Sequence, residues 1–262
     1  MSEHAVMLNY ETLGQPSAPA VILIHGLFGD LDNLKSISRA LSDRYYVINV
    51  DLRNHGQSPW TDTMSFAAMS KDVLSVLDTL SIEQAYILGH SLGGKVAMEI
   101  ALQYPTRVRA LVVADIAPVS YEPSHNTILD ALETLNLTHV DNRQSADKQL
   151  AESIHELGVR QFLLKNLYKA DSGWAWRMNL AALRKCYLGL IGSPSSEGVY
   201  SGPVLFIRGG RSDYIQAQHK NAIVSRFPQA QSKTINDVGH WLHAEKPTVF
   251  NGLVLRFLDE NK

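Results

Sequence analysis

Ala85-Tyr86-Ile87-Leu88-Gly89-His90-Ser91-Leu92-Gly93-Gly94-Lys95-Val96-Ala97-Met98-Glu99 is the stretch on which the fold turns. Its first four residues form an apolar run of the kind that makes a buried strand. Gly89-His90-Ser91-Leu92-Gly93 is a Gly-x-Ser-x-Gly turn, and Gly94 to Glu99 continue into a helix-forming segment. The five-residue pattern alone is common by chance. Between a strand and a helix it becomes specific, because the serine must sit on a sharp, strained turn. Glycine on either side leaves room for neighbouring chain that a Cβ would strike.

Working outward, residues 20–24, 45–50, 85–89 and 108–114 read as buried strands. Longer amphipathic segments at 31–41, 66–80 and 92–103 lie between them. Short buried strands alternating with helices predict an α/β fold, a mostly parallel twisted sheet with helices on both faces. Residues 6–13 alternate and predict an antiparallel edge strand. From 117 to 199 no buried strand is evident. Helical stretches at 124–135, 145–157, 159–167 and 180–188 are separated by loop signals at Asp171-Ser172-Gly173 and Gly192-Ser193-Pro194-Ser195-Ser196. The strand–helix pattern then returns, with strands at 203–207 and 232–235 and helices at 217–227 and 247–258. The simplest organisation is a core of residues 1–116 and 200–262 interrupted by an inserted helical cap, 117–199.

The composition fits a globular chain. Of 262 residues 45% are hydrophobic and 19% charged, which is enough apolar surface to offset chain entropy. Twenty-four Lys and Arg against 26 Asp and Glu leave a formal charge of −2 and no basic excess for nucleic acid. The single cysteine, Cys186, makes neither an intramolecular disulfide nor a thiolate zinc site, and reads as a small core residue. No run of about 18 apolar residues predicts a membrane span. Met1-Ser2-Glu3-His4 has no basic and apolar leader pattern. The expectation is a cytoplasmic protein, monomeric or a small homo-oligomer, with no metal, no organic cofactor and no nucleic-acid or membrane partner.

A serine hydroxyl is a weak nucleophile at neutral pH and needs a general base. Gly239-His240-Trp241 follows the predicted strand at 232–235, so His240 falls on a loop at a strand end and can reach Ser91. The other histidines are weaker candidates. His25 and His90 belong to motifs that position backbone, His55 lies in a turn, and His243 falls on a helix. His4, His125, His139, His155 and His219 have no motif around them. The imidazole in turn needs a carboxylate to fix its tautomer. Asp115, ending the strand at 108–114, and Asp213, in Gly209-Gly210-Arg211-Ser212-Asp213, both fall at the carboxyl edge of the sheet where ligands bind. The spacing does not separate them. Oxyanion donors are expected from the N–H of Leu92 and from the loop His25-Gly26-Leu27-Phe28-Gly29, with Leu27 favoured over Phe28.

Together His25-Gly26, Asp51-x-Arg53-x-His55-Gly56-x-Ser58, the Ser91 turn and Gly239-His240 resemble the α/β-hydrolase superfamily over essentially the whole chain. Within it the chain resembles the bacterial YbfF-type esterases. The likeness lies in His25–Gly29, Asp51–Gly56, Asp115-Ile116-Ala117-Pro118-Val119, Gln161-Phe162-Leu163-Leu164-Lys165 and Gly239–Pro247. The resemblance implies an α/β-hydrolase fold, a helical cap, and serine-dependent hydrolysis of small or medium carboxylic esters or thioesters through an acyl-enzyme. It also favours Asp115 over Asp213 as the acid, because Asp115 lies in a family-like segment and members of this type need not carry an acid at the position of Asp213. Asp51–Ser58 is expected to shape the loop beside the site, and Lys95 to serve helix packing or a helix surface. The segment 161–188 carries apolar residues, among them Phe162, Leu163, Trp176, Met178, Leu183 and Tyr187; some pack the cap onto the core, the commoner role for any one of them, and enough remain to line an apolar acyl pocket. Lys165, Lys169, Arg177, Arg184 and Lys185 stand against Asp171 alone, five minus one giving a local +4 that suits an anionic leaving group such as a coenzyme A thioester. Two other readings use the same parts: hydrolysis of a C–C bond in a vinylogous diketone, and a catalytically silent binding protein.

Overall fold

The computed structural model describes residues 4–171 and 173–262. The expectation of no leader at the first residues thus lies, for residues 1–3, outside the described part, as does Ser172 of the predicted loop at 171–173. The first half runs β1 (Tyr10–Leu13), β2 (Ala20–Ile24), α1 (Lys35–Leu41), β3 (Tyr46–Val50), α2 (Phe66–Thr79), β4 (Ala85–His90), α3 (Leu92–Gln103) and β5 (Val108–Ala114). A middle segment follows, with α4 (Asn126–Thr134), α5 (Arg143–Leu150), α6 (Leu157–Leu164), β6 (Leu167–Ala170), β7 (Gly173–Trp176) and α7 (Leu180–Leu190). The chain closes with β8 (Val204–Gly209), α8 (Lys220–Arg226), β9 (Ala230–Ile235), α9 (Leu242–Glu245) and α10 (Pro247–Glu260).

Seven strands form one sheet in the order β1-β3-β2-β4-β5-β8-β9. Only β1 is antiparallel to its neighbour, pairing Tyr10 with Val50 and Leu13 with Val47. The apolar runs bury both faces. Ile22, Ile24, Ile48, Ile87, Val113 and Phe206 face one cluster with α2 and α3. The alternate residues Val21, Leu23, Val47, Leu88, Val112 and Ile207 face the other, with α1 and α10. This period of two is why every central position reads as hydrophobic in the sequence. Because the central strands run parallel, their carboxyl ends share one edge, and the loops leaving β2, β4, β5, β8 and β9 meet there.

The segment between β5 and β8 adds no strand to this sheet among the described residues. It departs from the all-helical expectation. Leu167–Ala170 and Gly173–Trp176 pair as two antiparallel strands, with Leu167 opposite Trp176 and Lys169 opposite Trp174. The helix expected over 159–167 ends at Leu164. The paired Leu167 and Trp176 are buried while Tyr168 and Trp174 are half-buried, and Gly173 opens β7 at φ +124°, which favours glycine. Arg177 stacks on Tyr168, with 5.3 Å from guanidinium to ring centre. No helix among the described residues is long and apolar enough to cross a membrane.

Candidate active site

The turn between β4 and α3 holds Ser91 at φ 54° and ψ −118°, a conformation that costs a non-glycine residue roughly 1–3 kcal/mol. Close packing imposes it. A Cβ on Gly89 would strike the backbone of Gly93, and a Cβ on Gly93 would strike the carbonyl oxygens of Ile24 and His25. The Ser91 N–H is held by the Ala114 carbonyl at 3.0 Å. Ser91 thus stands at the tip of the sheet, at the N-terminus of a 12-residue helix whose dipole favours negative charge there.

The loop after β9 brings His240 to Ser91, with Nε2 2.9 Å from Oγ. Its Nδ1 lies 2.8 Å from Asp115 Oδ2. With Nδ1–H donated to the carboxylate, Nε2 is left to accept from the serine hydroxyl. Asp115 is fully buried, also in left-handed backbone at φ 52°. Its Oδ1 accepts the Gly209 N–H at 2.8 Å, and its Oδ2 also accepts the Ser212 hydroxyl. Asp213, the other carboxylate of the sequence reading, is exposed. The loop after β8 turns Ser212 inward to the carboxylate and its neighbour outward.

Leu27 and Phe28 lie on the loop after β2. The Phe28 N–H is engaged by His55 Nε2 at 3.2 Å. His55 is held in that tautomer by its Nδ1–H, which donates to the Arg53 carbonyl at 3.0 Å. Burial pushes His55 down to about 3, so the ring stays a neutral acceptor. His25 plays a parallel part: its Nδ1–H donates to the Gly26 carbonyl at 2.8 Å and its Nε2 accepts the Leu52 N–H at 3.0 Å. Asp51 accepts the Leu31 and Gln57 N–H groups, each at 2.8 Å. The motif 51–58 therefore shapes the loop beside Ser91. No acceptor takes the Leu27 N–H among the described residues. Leu92 is the first residue of α3, so its N–H has no intrahelical carbonyl.

Several further residues shape the site, and apart from His90, read as positioning backbone, they had no role assigned from the sequence. Tyr214 stacks on His240 with ring centres 4.1 Å apart, and Tyr121 anchors it by donating its hydroxyl to the Tyr214 carbonyl at 2.5 Å. His90 donates Nε2–H to the His240 carbonyl at 2.8 Å. Burial, reinforced by His243 and His240, holds His90 well below the ordinary histidine range. Ser212 and Tyr214 flank the candidate Asp213, but nothing in the sequence shows that either faces the site. His125, which had no motif context, lines the cavity above Ser91.

That cavity encloses about 200 Å3. From the middle segment it receives Ile128, Val159, Phe162 and Leu163. Trp176, Met178, Leu183 and Tyr187 are buried in packing and do not line it. The basic run is also divided. Arg184 pairs with Asp130 and Glu133, and Lys165 and Arg177 border a separate depression with Asp30 and Asp32. Among the described residues no group of three or more His, Cys, Asp or Glu is placed to hold a metal ion.

A parallel sheet whose β4–α3 turn presents a strained serine to a histidine defines the α/β-hydrolase class. The family model for that fold matches residues 19–247, and the chain belongs to the α/β-hydrolase fold family. It is 41% identical over 260 residues to the mouse protein named sn-1-specific diacylglycerol lipase ABHD11, covering 96% of this chain and 85% of the relative. It is 37% identical over 241 residues to the Escherichia coli protein named Esterase YbfF, covering 92% and 93%. A solved structure titled marine microorganism esterase superposes with a TM-score of 0.93 at 35% identity, covering 97% of this chain and 100% of that one. Within the family the chain is a YbfF-like esterase, an enzyme of the ester-hydrolase class.

Proposed function

We propose that this chain hydrolyses carboxylic esters or thioesters by two-step acyl transfer, with Ser91 as nucleophile, His240 as general base and acid, and Asp115 as the orienting carboxylate. One observation carries the reading: the continuous hydrogen-bonded path from Ser91 Oγ through both nitrogens of His240 to Asp115, at 2.9 and 2.8 Å. In the first step Ser91 Oγ bonds to the acyl carbon as its proton passes to His240 Nε2. The oxyanion accepts from the N–H groups of Leu27 and Leu92. Commitment of the Phe28 N–H to His55 supports Leu27 over Phe28. Each such donor is worth about 10²–10³ in rate. Collapse breaks the bond to the leaving oxygen or sulfur, which takes the proton from His240. Water then attacks the acyl-enzyme and gives its proton to His240. That proton returns to Ser91 Oγ as the carboxylic acid leaves.

Residues 117–199 act in this reading as the cap over the site, on a core of 1–116 and 200–262. The test is turnover of p-nitrophenyl acetate beside a ring-fission vinylogous diketone. Ester hydrolysis that falls by roughly 10⁶ in Ser91→Ala, with unchanged circular dichroism, is the expected result. Turnover of the diketone with no ester hydrolysed would overturn it in favour of C–C cleavage.

A further inference from the structure

We propose that the scissile ester lies across two unequal compartments that meet at Ser91, its acyl group in the small one and its alcohol in the large one, so that the substrate is a short-chain acyl ester of a bulky apolar alcohol. The inference rests on the acyl-transfer reading above. The large compartment encloses about 200 Å3 and the small one about 40 Å3. Both are lined by Leu27, Ser91, His125 and Tyr214, so they join over the nucleophile.

The chemistry decides which arm goes where. His240 must hand its proton to the leaving oxygen, so the leaving alcohol lies on the side that His240 lines. His240 lines the large compartment and, among the described residues, not the small one. Leu92 lines the small compartment and not the large. With the leaving alcohol on the His240 side, the acyl chain takes the remaining, small side. The walls of the large side are apolar, from Ile128, Val159, Phe162 and Trp241. The cap's apolar residues thereby serve the alcohol rather than the acyl chain.

Size then sets the acyl length. At roughly 10–15 Å3 for each water-sized group, the small compartment accepts roughly three groups beyond the carbonyl carbon, from acetyl to butyryl. Its wall is tied in place. Buried Lys95 borders it and donates Nζ to the carbonyls of Val119 at 2.7 Å, Ile191 at 2.9 Å and Gly192. The same ammonium sits 4.6 Å from the centre of the Tyr121 ring. One turn along α3, Glu99 accepts the Ser195 and Ser196 N–H groups at 2.7 and 3.2 Å. Val119 precedes α4 while Ile191 and Gly192 follow α7, so the nucleophile helix grips both connections of the cap. All three ammonium protons have acceptors, which leaves Lys95 no reason to move aside for a longer chain.

Octyl acetate and ethyl octanoate test this directly, because they are isomers with the arms exchanged. The expected kcat/KM is about tenfold or more higher for octyl acetate. Leu190→Ala, which enlarges the small compartment, is expected to move that ratio toward ethyl octanoate. Equal or faster hydrolysis of ethyl octanoate, or a ratio unmoved by Leu190→Ala, would overturn the assignment while leaving the acyl-transfer reading intact. Failure on both isomers and on p-nitrophenyl acetate would instead overturn the acyl-transfer reading, and the assignment with it.

Discussion

The Asp115 carboxylate takes part in three hydrogen bonds. Gly209 N–H fixes one oxygen, while the Ser212 hydroxyl and His240 share the other. The arrangement orients the carboxylate before any substrate arrives. Asp115→Asn places an amide where the imidazole needs an acceptor, and kcat is expected to fall by about 10⁴. Asp213→Asn changes an exposed side chain and is expected to leave kcat within about twofold. Steady-state kinetics of both variants on one ester decide between the two acids, and the opposite ranking would move the acid to Asp213. At this scale the sequence was legible where a residue type and a motif coincide, as at Ser91 and His240. It was silent on Tyr214 and His125, whose importance comes from stacking and contacts between loops far apart in the chain. Ser212 was hidden by its neighbour, because only the path of the loop tells which of two adjacent polar residues points inward.

The strand–turn–helix at 85–103 is the element on which the geometry depends. Gly93 sits against the backbone of β2, and a methyl group there can be accommodated only by moving backbone. Gly93→Ala is expected to cost roughly 2–4 kcal/mol, measured by urea unfolding, and to reduce activity in the surviving folded fraction. A wild-type midpoint would contradict the close approach. The elements of the core were readable because a doubly covered parallel sheet leaves continuous apolar runs, and helices leave a different period. The antiparallel pair Leu167–Ala170 and Gly173–Trp176 was not. Its strands are four residues each, Trp and Leu serve either period, and the residues between them resembled a break between helices. The sequence did not say which apolar residues of 161–188 pack, as Trp176, Leu183 and Tyr187 do, and which line the cavity, as Phe162 and Leu163 do, because both roles take the same side chains.

Across the whole molecule, buried neutral histidines make stability depend on pH. His55 is pushed down to about 3, and His243 to about 4, in both cases chiefly by burial. Unfolded, each binds a proton below about 6.5. The folded state therefore binds fewer protons between pH 6.5 and about 4, and stability is lost as pH falls through that window. Each histidine contributes a slope of about 1.4 kcal/mol per pH unit there, so two give about 3. Chemical unfolding from pH 7 to 4.5 is expected to show that decline, and a flat profile would contradict it. The assembled site draws on five separate loops, and a fluorophosphonate probe reads that assembly directly. Labelling of the folded chain, followed by peptide mass mapping, is predicted to place one adduct on Ser91 that disappears on prior denaturation and in His240→Ala. An adduct elsewhere, or equal labelling of Ser91 without His240, would contradict the account.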